Sequence, residues 1–421
     1  MFGFCNMIPG VRKRQLTQLL SPFYKFPGIT YTQSGNLTYF DSTGTLQTAA
    51  VDTMVLDYDP STLVLRGYPF WEARTNSIRN NTMVGASAPI TFPTNWTGVQ
   101  NGGTGITATV SIGTEDGIAY LDVALSGTPS GSGSYQVTLE PVASVAATSG
   151  QTWTNSAYLK LAAGSLTNIG AVRFTTAEWT SAPTFIQNNQ SVLSSPTAAA
   201  LRTQRLSASV TLSGGTTASI VPSITLTLTS GQAISLTLRI GLPQLELGAF
   251  ATPVILTTTA AVTRAAPSCA ITGTSFSSFW NQLAGTLVVS AMSGAATPAA
   301  TFPILVRADD GTSNNRISIE GSPTSSRYYF VGVNGGVAQW DIDSASSTYN
   351  TIALSVFKRA CTYAANNIAV SASGAAVGTD GSASIPTVTR ITIGAAFNGW
   401  ASSLLYYGAR LPDASLVSLS T

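Results

Sequence analysis

Histidine is missing from this chain of 421 residues, and charged residues make up only 9% of it. Without an imidazole, the chain can form neither a Ser-His-Asp relay nor a Cys-His relay, and it has no histidine metal ligand. Ordinary soluble domains contain roughly 25% charged residues, so the surface here must consist of Ser, Thr, Asn, Gln and Gly. Such a surface suits an extracellular β-protein, or a subunit whose faces are covered by copies of itself or by other proteins.

Basic residues are also sparse, since the net charge is +2 and no tail is charged. Arg12, Lys13 and Arg14 form the one dense basic cluster, which is too little to predict nucleic-acid binding. These charges follow the apolar N-terminus, whereas a secretory signal places its charges first, so we expect no signal peptide. No run of about 18 apolar residues occurs, so no membrane span is expected.

Cysteine is rare as well, with Cys5, Cys269 and Cys361 far apart in the sequence. An odd number at these distances predicts neither a disulfide framework nor a zinc site, and no cofactor is expected. Cys269 and Cys361 fall in the same C-terminal region and could pair. The sequence favours two unlinked buried thiols instead.

What the chain has in abundance is short strand patterns with Gly, Ser and Asn turns. About eight strands between residues 80 and 261 predict an antiparallel sandwich of jelly-roll type, and a second series predicts a lectin-like sandwich over residues 262–421. Within the first, Leu236, Leu238 and Ile240 alternate with polar residues, as in a half-buried strand. The predicted fold class is therefore all-β, with two consecutive antiparallel β-sandwiches and an extended N-terminal arm.

Two local features are predicted in the second sandwich. A DG turn at Asp310–Gly311 indicates a hairpin. A short helix is expected to begin at Pro412–Asp413, with Leu416 and Leu419 on one side.

Residues 1–36 form the predicted arm. Leu16, Leu19 and Leu20 lie at helical spacing before Pro22, which predicts a short amphipathic helix. One hypothesis is that this helix, with Arg12, Lys13 and Arg14, anchors the chain to a larger assembly. The alternative is an arm folded back on its own sandwich, and the sequence does not choose between the two.

Residues 37–79 form a lead-in segment of short extended pieces. Asp57 and Asp59 could be interpreted as a cation site, but Asp before Pro favours a turn. Glu72 and Arg74 share one face of a strand, and we expect them to form structural ion pairs with other groups.

Carboxylate pairs are the candidate catalytic groups, because a glycosidase needs two carboxyls facing each other across a sugar. Glu115 with Asp116 and Asp309 with Asp310 lie beside glycines in turns, which explains them structurally. Asp341 and Asp343 share a face next to Trp340 and are the more interesting pair. An oxygen-rich loop is a weak Ca²⁺ candidate, and its residues are Asp309, Asp310, Thr312, Asn314 and Asn315.

Aromatic residues cluster in or near loops of the C-terminal region. Aromatic faces beside Asp and Asn are typical of sugar-binding sites. The candidate glycan-binding residues are Trp340, Asp341, Asp343, Tyr328 and Trp400. Other aromatics in the same region are Trp280, Tyr329, Tyr363 and Phe397. For each residue taken alone, a place in a sandwich core is the simpler interpretation.

Two motifs resemble a recurrent class of bacteriophage virion proteins. The first, in the lead-in segment, matches at Tyr39, Phe40, Gly44, Leu46, Asp57–Pro60, Gly67 and Glu72–Asn76. The second is a connector that matches at Gln244, Glu246, Gly248–Thr252 and Ala260–Ala266. In that class the lead-in segment precedes one β-sandwich, and the connector joins it to a lectin-like sandwich of the concanavalin type. The chain departs from the class at Tyr68–Trp71.

The resemblance implies a non-enzymatic virion structural protein, made in the host cytoplasm and located at the tail or outer surface. The first hypothesis is a tail-associated fibre or appendage whose C-terminal sandwich contacts host glycan. A head decoration or head-fibre protein is the alternative, and a capsule-degrading glycan hydrolase is the second alternative. The expected partners are other copies of the chain, with a trimer favoured by analogy, and other virion proteins reached through the arm.

Overall fold

The computed structural model describes residues 16–22, 24–294, 302–322, 327–342 and 350–421. Nearly all regular structure within these residues is β-strand, and every strand pair is antiparallel, which confirms the predicted fold class. The strands form two consecutive sandwiches, each with its own buried apolar core.

The strands of the arm and lead-in segment are β1 (Leu16–Ser21), β2 (Tyr24–Lys25), β3 (Ile29–Thr32), β4 (Thr38–Phe40), β5 (Leu46–Thr48), β6 (Asp57–Tyr58), β7 (Leu65–Phe70) and β8 (Arg74–Asn76). Those of the first sandwich are β9 (Thr97–Asn101), β10 (Ile106–Glu115), β11 (Ile118–Gly127), β12 (Gly133–Thr138), β13 (Val145–Ala146), β14 (Thr152–Gly164), β15 (Ile169–Trp179), β16 (Phe185–Val192), β17 (Arg205–Thr211), β18 (Ser219–Leu228) and β19 (Ile234–Leu247), with a 3₁₀ turn at Leu201–Thr203.

After the connector follow β20 (Val262–Arg264), β21 (Ser268–Thr272), α1 (Gly273–Ser277), β22 (Ala284–Ser293), β23 (Ile304–Asp309), β24 (Arg316–Gly321), β25 (Tyr328–Asn334), β26 (Val337–Ile342), β27 (Val356–Ala364), β28 (Ile368–Ala372), β29 (Gly378–Asp380), β30 (Arg390–Ile393), β31 (Gly399–Tyr407) and α2 (Asp413–Ser420).

The first sandwich packs two sheets face to face. One has the strand order β10-β11-β19-β14-β17, and the other has the order β16-β15-β18-β12-β9 with β13 beside β18. Leu236, Leu238 and Ile240 of β19 point inward as predicted and pack in the same core as Phe174 and Ile224. Alternation along these strands therefore places one set of side chains in the core and the other outside.

The second sandwich packs the order β2-β1-β31-β22-β27-β28-β29, extended by β7 and β6 next to β31, against the order β26-β25-β24-β23-β30-β21-β3. The predicted hairpin is present as β23 and β24. The predicted C-terminal helix is present as α2, with Leu416 buried. Cys269 and Cys361 are both free and buried, which confirms the interpretation as unlinked thiols.

The helix prediction for the arm is wrong. Residues Leu16–Ser21 form strand β1, which pairs with β31 of the second sandwich, and β3 pairs with β21 of the opposite sheet. The register of β1 shifts between Gln18 and Leu20, so the neighbours Leu19 and Leu20 are both fully buried. A bulge of this kind produces the spacing that resembles a helix in the sequence. The described part of the arm thus completes its own sandwich, as the alternative interpretation proposed.

The two motifs meet in a buried polar cluster, the seam network, made of Asn76, Gln244, Glu246, Thr252 and Arg264, each no more than 2% exposed. The Asn76 carboxamide oxygen accepts from the Leu245 N–H at 3.1 Å, and its Nδ2 donates to the Ile255 carbonyl at 3.0 Å. Because these bonds join the lead-in segment to the connector, the network fixes the point where one sandwich ends and the other begins.

The remaining members of the seam network hold the connector itself. Gln244 Oε1 accepts from the Ile255 N–H at 2.7 Å, and Glu246 Oε2 accepts from the Thr252 N–H at 3.0 Å. Arg264 donates to the Pro253 carbonyl at 2.9 Å and to Thr252 Oγ1 at 3.0 Å. Buried backbone groups of the irregular connector are therefore paired by side chains where no sheet can pair them.

The acidic residues of the lead-in segment divide into turn and core positions. Asp59 accepts from the N–H groups of Ser61 and Thr62, both at 2.8 Å, which confirms the turn. Asp57 is instead buried and accepts from the Phe40 N–H at 2.7 Å and from Trp400 Nε1 at 2.6 Å. Burial raises the pKa of Asp57 to about 6, although both hydrogen bonds favour the ionised form.

Glu72 and Arg74 form a structural ion pair with each other, and not with other groups as predicted, since Arg74 Nη2 contacts Glu72 Oε1. The role is structural, as predicted, but the partners are the two residues themselves.

Replacing Leu20 with Ala should destabilise the chain, because a fully buried leucine in the second core would leave a cavity. We expect a loss of about 2–4 kcal/mol in the free energy of unfolding, measured by denaturant titration. Gln18→Ala on the exposed side of the same strand is the control and should cost far less. Equal stability of Leu20→Ala and the parent would contradict the position of β1 in the core.

Asp57 should make the folded state more stable as the pH falls. Its pKa in the folded state, about 6, lies above the ordinary value of 3.8, so the folded chain binds this proton more tightly than the unfolded chain does. The stabilisation is complete below pH 4 and is lost as the pH rises through 6. Relative to Asp57→Asn, the parent should gain up to about 3 kcal/mol between pH 7 and pH 4. Urea titrations of both proteins across this range would show the difference, and a constant difference would contradict it.

Candidate functional site

The aromatic residues predicted to bind glycan lie inside the second sandwich. Trp340 is 2% exposed and Tyr328 and Trp400 are each 4% exposed, so none offers a ring face to a sugar. Trp340 packs against Phe330 with 5.5 Å between ring centroids, and Tyr328 stacks on Phe357 at 5.0 Å. The predicted site on the second sandwich is therefore wrong for these three residues, and their role in core packing is the correct interpretation.

A glycine explains how Trp340 fits there. A Cβ atom added at Gly332, opposite Trp340 on β25, would lie 2.2 Å from the indole ring. The indole thus covers bare backbone, which is a packing arrangement and not a binding surface. Asp341 is exposed at the end of β26, and Asp343 lies outside the described residues.

The calcium candidate is a hairpin loop held by its own side chains. Asp309 is fully buried and forms ion pairs with Arg307 at 2.8 Å and Arg390 at 2.5 Å. Asp310 accepts from the N–H and hydroxyl of Thr312 and from Asn315 Nδ2, and these bonds lower its pKa to about 2. Asn314 is not brought into a ligand set, and no cluster of three His, Cys, Asp or Glu side chains fit for a metal occurs among the described residues.

The other candidate catalytic carboxylates have structural roles, and so do the described residues of the predicted anchor. Glu115 pairs with Lys160 at 2.9 Å and with Arg239 at 2.5 Å, and Asp116 pairs with Arg202 at 3.1 Å. Of the predicted anchor, Arg12, Lys13 and Arg14 lie outside the described residues, while Leu19 and Leu20 are core residues and Leu16 pairs with Tyr407.

A surface that the sequence did not single out has the shape of a binding site. It is a groove of about 510 Å³ on the outer face of the sheet β16-β15-β18-β12-β9 in the first sandwich. Phe174 and Ile224 point into the core, so the residues beside them in sequence, Thr175 and Thr225, point into the groove. The alternation of the strands thus produces the groove lining.

The floor of the groove consists of small side chains. Thr175 and Thr225 share a hydrogen bond of 2.9 Å between their hydroxyls, and Ala177 and Val221 lie beside them on paired strands. All four are at most 5% exposed, because longer side chains rise around them. A floor of short residues between taller walls gives the sheet face its depth.

Two aromatic residues close one end of the groove. Trp179 at the end of β15 and Phe185 at the start of β16 meet edge to face, with 5.6 Å between ring centroids. Phe185 is 48% exposed. The indole N–H of Trp179 is buried and has no hydrogen-bond partner within the described residues. This end therefore offers an accessible aromatic face.

Amide side chains line the groove further along. Gln136 donates to Ser223 at 2.7 Å and accepts from Asn101 Nδ2 at 3.1 Å. On the opposite side, Asn188 and Gln190 of β16 are exposed. A carboxamide offers both donors and an acceptor, which matches the hydroxyl groups of a sugar in either direction.

The wall formed by β16 is fixed from behind by Glu178. This fully buried carboxylate accepts from Gln187 and Asn189 of β16, both at 2.7 Å, and from the Gly214 N–H at 3.0 Å. Burial alone would raise the pKa of Glu178. These hydrogen bonds, together with one from the Thr217 hydroxyl, favour the ionised form more strongly and lower the pKa of Glu178 to about 2. Gln187 and Asn189 point inward, so their neighbours Asn188 and Gln190 are held in place on the groove side.

One signal in the sequence could have indicated this groove. In the segment from Arg173 to Trp179 the core-facing register holds Phe174, while Trp179 falls in the register of Arg173 and Thr175. An aromatic residue on the polar face of a strand, followed by the amide-rich run Gln187–Gln190, is unusual for a solvent-facing sheet.

Comparisons with known proteins find no matching family model and no matching curated protein. Among solved structures, the CBM40 of the Ruminococcus gnavus IT-sialidase bound to α2,3-sialyllactose is 13% identical, covers 34% of this chain and 84% of its own, and has a TM-score of 0.28. The CBM22-1–CBM22-2 tandem domain of Paenibacillus barcinonensis Xyn10C is 11% identical over 82% of this chain and 92% of its own, with a TM-score of 0.26.

Domains LG4-5 of the mouse laminin α1 chain are 12% identical over 64% of this chain and 87% of their own, with a TM-score of 0.24. All three TM-scores are below 0.5, so these likenesses carry no weight for ligand or site. Within the part of the chain that the structure describes, no helix has the length and apolar character needed to cross a membrane.

Proposed function

We propose that this chain is a non-enzymatic structural protein of a bacteriophage virion, most simply a tail-associated fibre or appendage, that binds host-surface glycan through the groove of its first sandwich. The observation that carries the glycan part is the groove itself, with Trp179 and Phe185 at one end and carboxamides along both sides. The predicted contact thereby moves from the second sandwich, whose candidate aromatics are buried, to the first.

The groove chemistry suits a neutral saccharide. Glu140 is the one carboxylate among the described lining residues, and Arg79 neutralises it at 2.8 Å. The other polar groups are hydroxyls and amides, which bind sugar hydroxyls without a charge. An aromatic face at the end of the groove suits the apolar face of a pyranose ring. The expected ligand is a short neutral segment of a surface polysaccharide.

The same lining supports a binding role over hydrolysis. Glycosidases hold two carboxyl groups about 5–10 Å apart across the scissile bond. The groove offers one carboxylate, which is fully buried and already held by Arg79 and Ser144. Catalysis of this type therefore finds no second group among the described residues of the groove.

The virion role is supported by the two motifs and the surface composition. The motif residues Asn76, Gln244, Glu246 and Arg264 act together in the seam network, which explains why such a chain needs both motifs at once. A surface poor in charge suits a subunit packed among copies of itself, and we propose a homo-oligomer, with a trimer as the first expectation.

Trp179→Ala and Phe185→Ala should each weaken binding to host surface polysaccharide by about tenfold or more, because each removes an aromatic contact. Surface plasmon resonance on immobilised polysaccharide would measure the change. Phe302→Ala is the matched control, since Phe302 of the second sandwich is 53% exposed, close to the 48% of Phe185. Unchanged affinity in both groove variants, or an equal loss in Phe302→Ala, would contradict the groove as the binding site.

The position of the chain in intact particles tests the virion role separately. A cryo-electron microscopy reconstruction should locate the chain in a few copies at the tail, with the groove of the first sandwich facing outward. Density for many copies on the head would overturn the tail assignment in favour of a decoration protein, and absence from purified particles would overturn the virion role.

A further inference from the structure

A second cavity, of about 270 Å³, lies where the lead-in segment, the connector and both sandwiches meet. Asp57 comes from the lead-in segment, Arg205 from the first sandwich, Val254 from the connector and Trp400 from the second sandwich. This junction cavity is separate from the groove, with which it shares no lining residue. Its volume is just below that of pockets for drug-sized ligands, roughly 300–1,000 Å³, so it suits a single small ring.

The acidic side of the junction cavity is Asp57, which is 5% exposed. Its oxygens accept N–H bonds from Phe40 and Trp400, and the backbone N–H of Tyr58 also favours the ionised form. A carboxylate has about four acceptor positions, so Asp57 retains capacity for a further donor. No ion pair involves Asp57 within the described residues. A ligand hydroxyl suits this position, because it can donate to the carboxylate and can accept from the protonated acid.

The basic side is Arg205. Arg66 and Arg202 also line the cavity, but Asp59 and Asp116 neutralise them at 2.6 Å and 3.1 Å. Arg205 has no carboxylate partner within the described residues; its Nη2 donates to Ser156 at 3.0 Å, and its buried Nε is unpaired. A guanidinium without a carboxylate partner favours an anionic ligand at this side of the cavity.

Trp71 forms part of the cavity wall. The indole N–H of Trp71, which also lines the cavity and is 4% exposed, has no partner within the described residues. Buried donors without acceptors are costly. Within the described residues, a guanidinium without a carboxylate partner and a carboxylate without a cation partner together call for a ligand that has acceptor oxygens at one end and hydroxyl groups at the other.

We propose that the junction cavity binds one sugar acid, a six-carbon sugar with a carboxylate, which places its carboxylate at Arg205 and its hydroxyls at Asp57. A neutral sugar would leave Arg205 uncompensated. Inorganic phosphate would meet Arg205 but would have no hydroxyl groups for Asp57 and would be repelled by it. The junction cavity and the neutral-glycan groove have different lining residues, so the proposal for either site can be disproved without affecting the other.

Isothermal titration calorimetry of the full chain at pH 7 with glucuronate and galacturonate tests the proposal. We expect saturable binding of at least one hexuronate, with glucose, glycine and inorganic phosphate at least about tenfold weaker. Arg205→Gln should weaken hexuronate binding by about tenfold or more, and Asp57→Asn should weaken it severalfold. Trp179→Ala in the groove should leave this binding unchanged.

A measurement on the unaltered protein covers the case in which Arg205→Gln does not fold. In a spectrum of ¹⁵N-labelled indoles, the Trp71 N–H signal, assigned with Trp71→Phe, should shift on addition of hexuronate while the Trp179 signal stays in place. No hexuronate binding by the folded chain, equal binding by Arg205→Gln, or tighter binding of glycine or phosphate would overturn the proposal.

Discussion

The hydrogen bonds of Asn76 to the connector are the constraint on which the two-sandwich arrangement depends. The chain leaves the first sandwich after β19 and crosses to the second through a stretch that is irregular up to β20, so its backbone groups there have no sheet partner. Buried backbone groups without partners are rarely tolerated. Asn76, Gln244 and Arg264 supply those partners from the lead-in segment, the last strand of the first sandwich and the connector itself. Removing any one of them would leave others of the set unsatisfied, which is why the network behaves as a unit.

This constraint explains why the N-terminal part of the chain takes part in both sandwiches. β7 pairs with β31 of the second sandwich, while β8 pairs with β20 of the connector. Asp57 and Trp71, from the same segment, pack against Trp400. The lead-in segment is thus held on both sides, and the junction cavity is a consequence of that arrangement: four parts of the chain converge where no single sheet can fill the space.

Scarce charge is concentrated where it organises structure. Arg264 and Glu246 lie in the seam network, Glu178 fixes the wall of the groove, and Asp309 holds a hairpin through two arginines. Isolated surface ion pairs contribute little stability, whereas buried charges with several hydrogen bonds are strongly specified by their surroundings. The outer faces are left to Thr, Ser, Asn and Gln, and one of those faces, bounded by Trp179 and Phe185, forms the groove that we propose binds neutral sugars.

By itself the sequence determined the all-β class, the inward register of Leu236, Leu238 and Ile240, the hairpin at Asp310–Gly311 and the final helix, because periodicity and turn chemistry are local properties. Three features were decided only by tertiary structure. Leu16, Leu19 and Leu20 lie on a strand, but a bulge in that strand gives them a sequence spacing that is typical of a helix. Trp340 packs on the backbone at Gly332 and Trp400 donates a hydrogen bond to Asp57, so neither of these candidate residues is free to bind sugar. The groove and the junction cavity join residues more than 80 positions apart, and no pattern along the chain encodes which strands become neighbours.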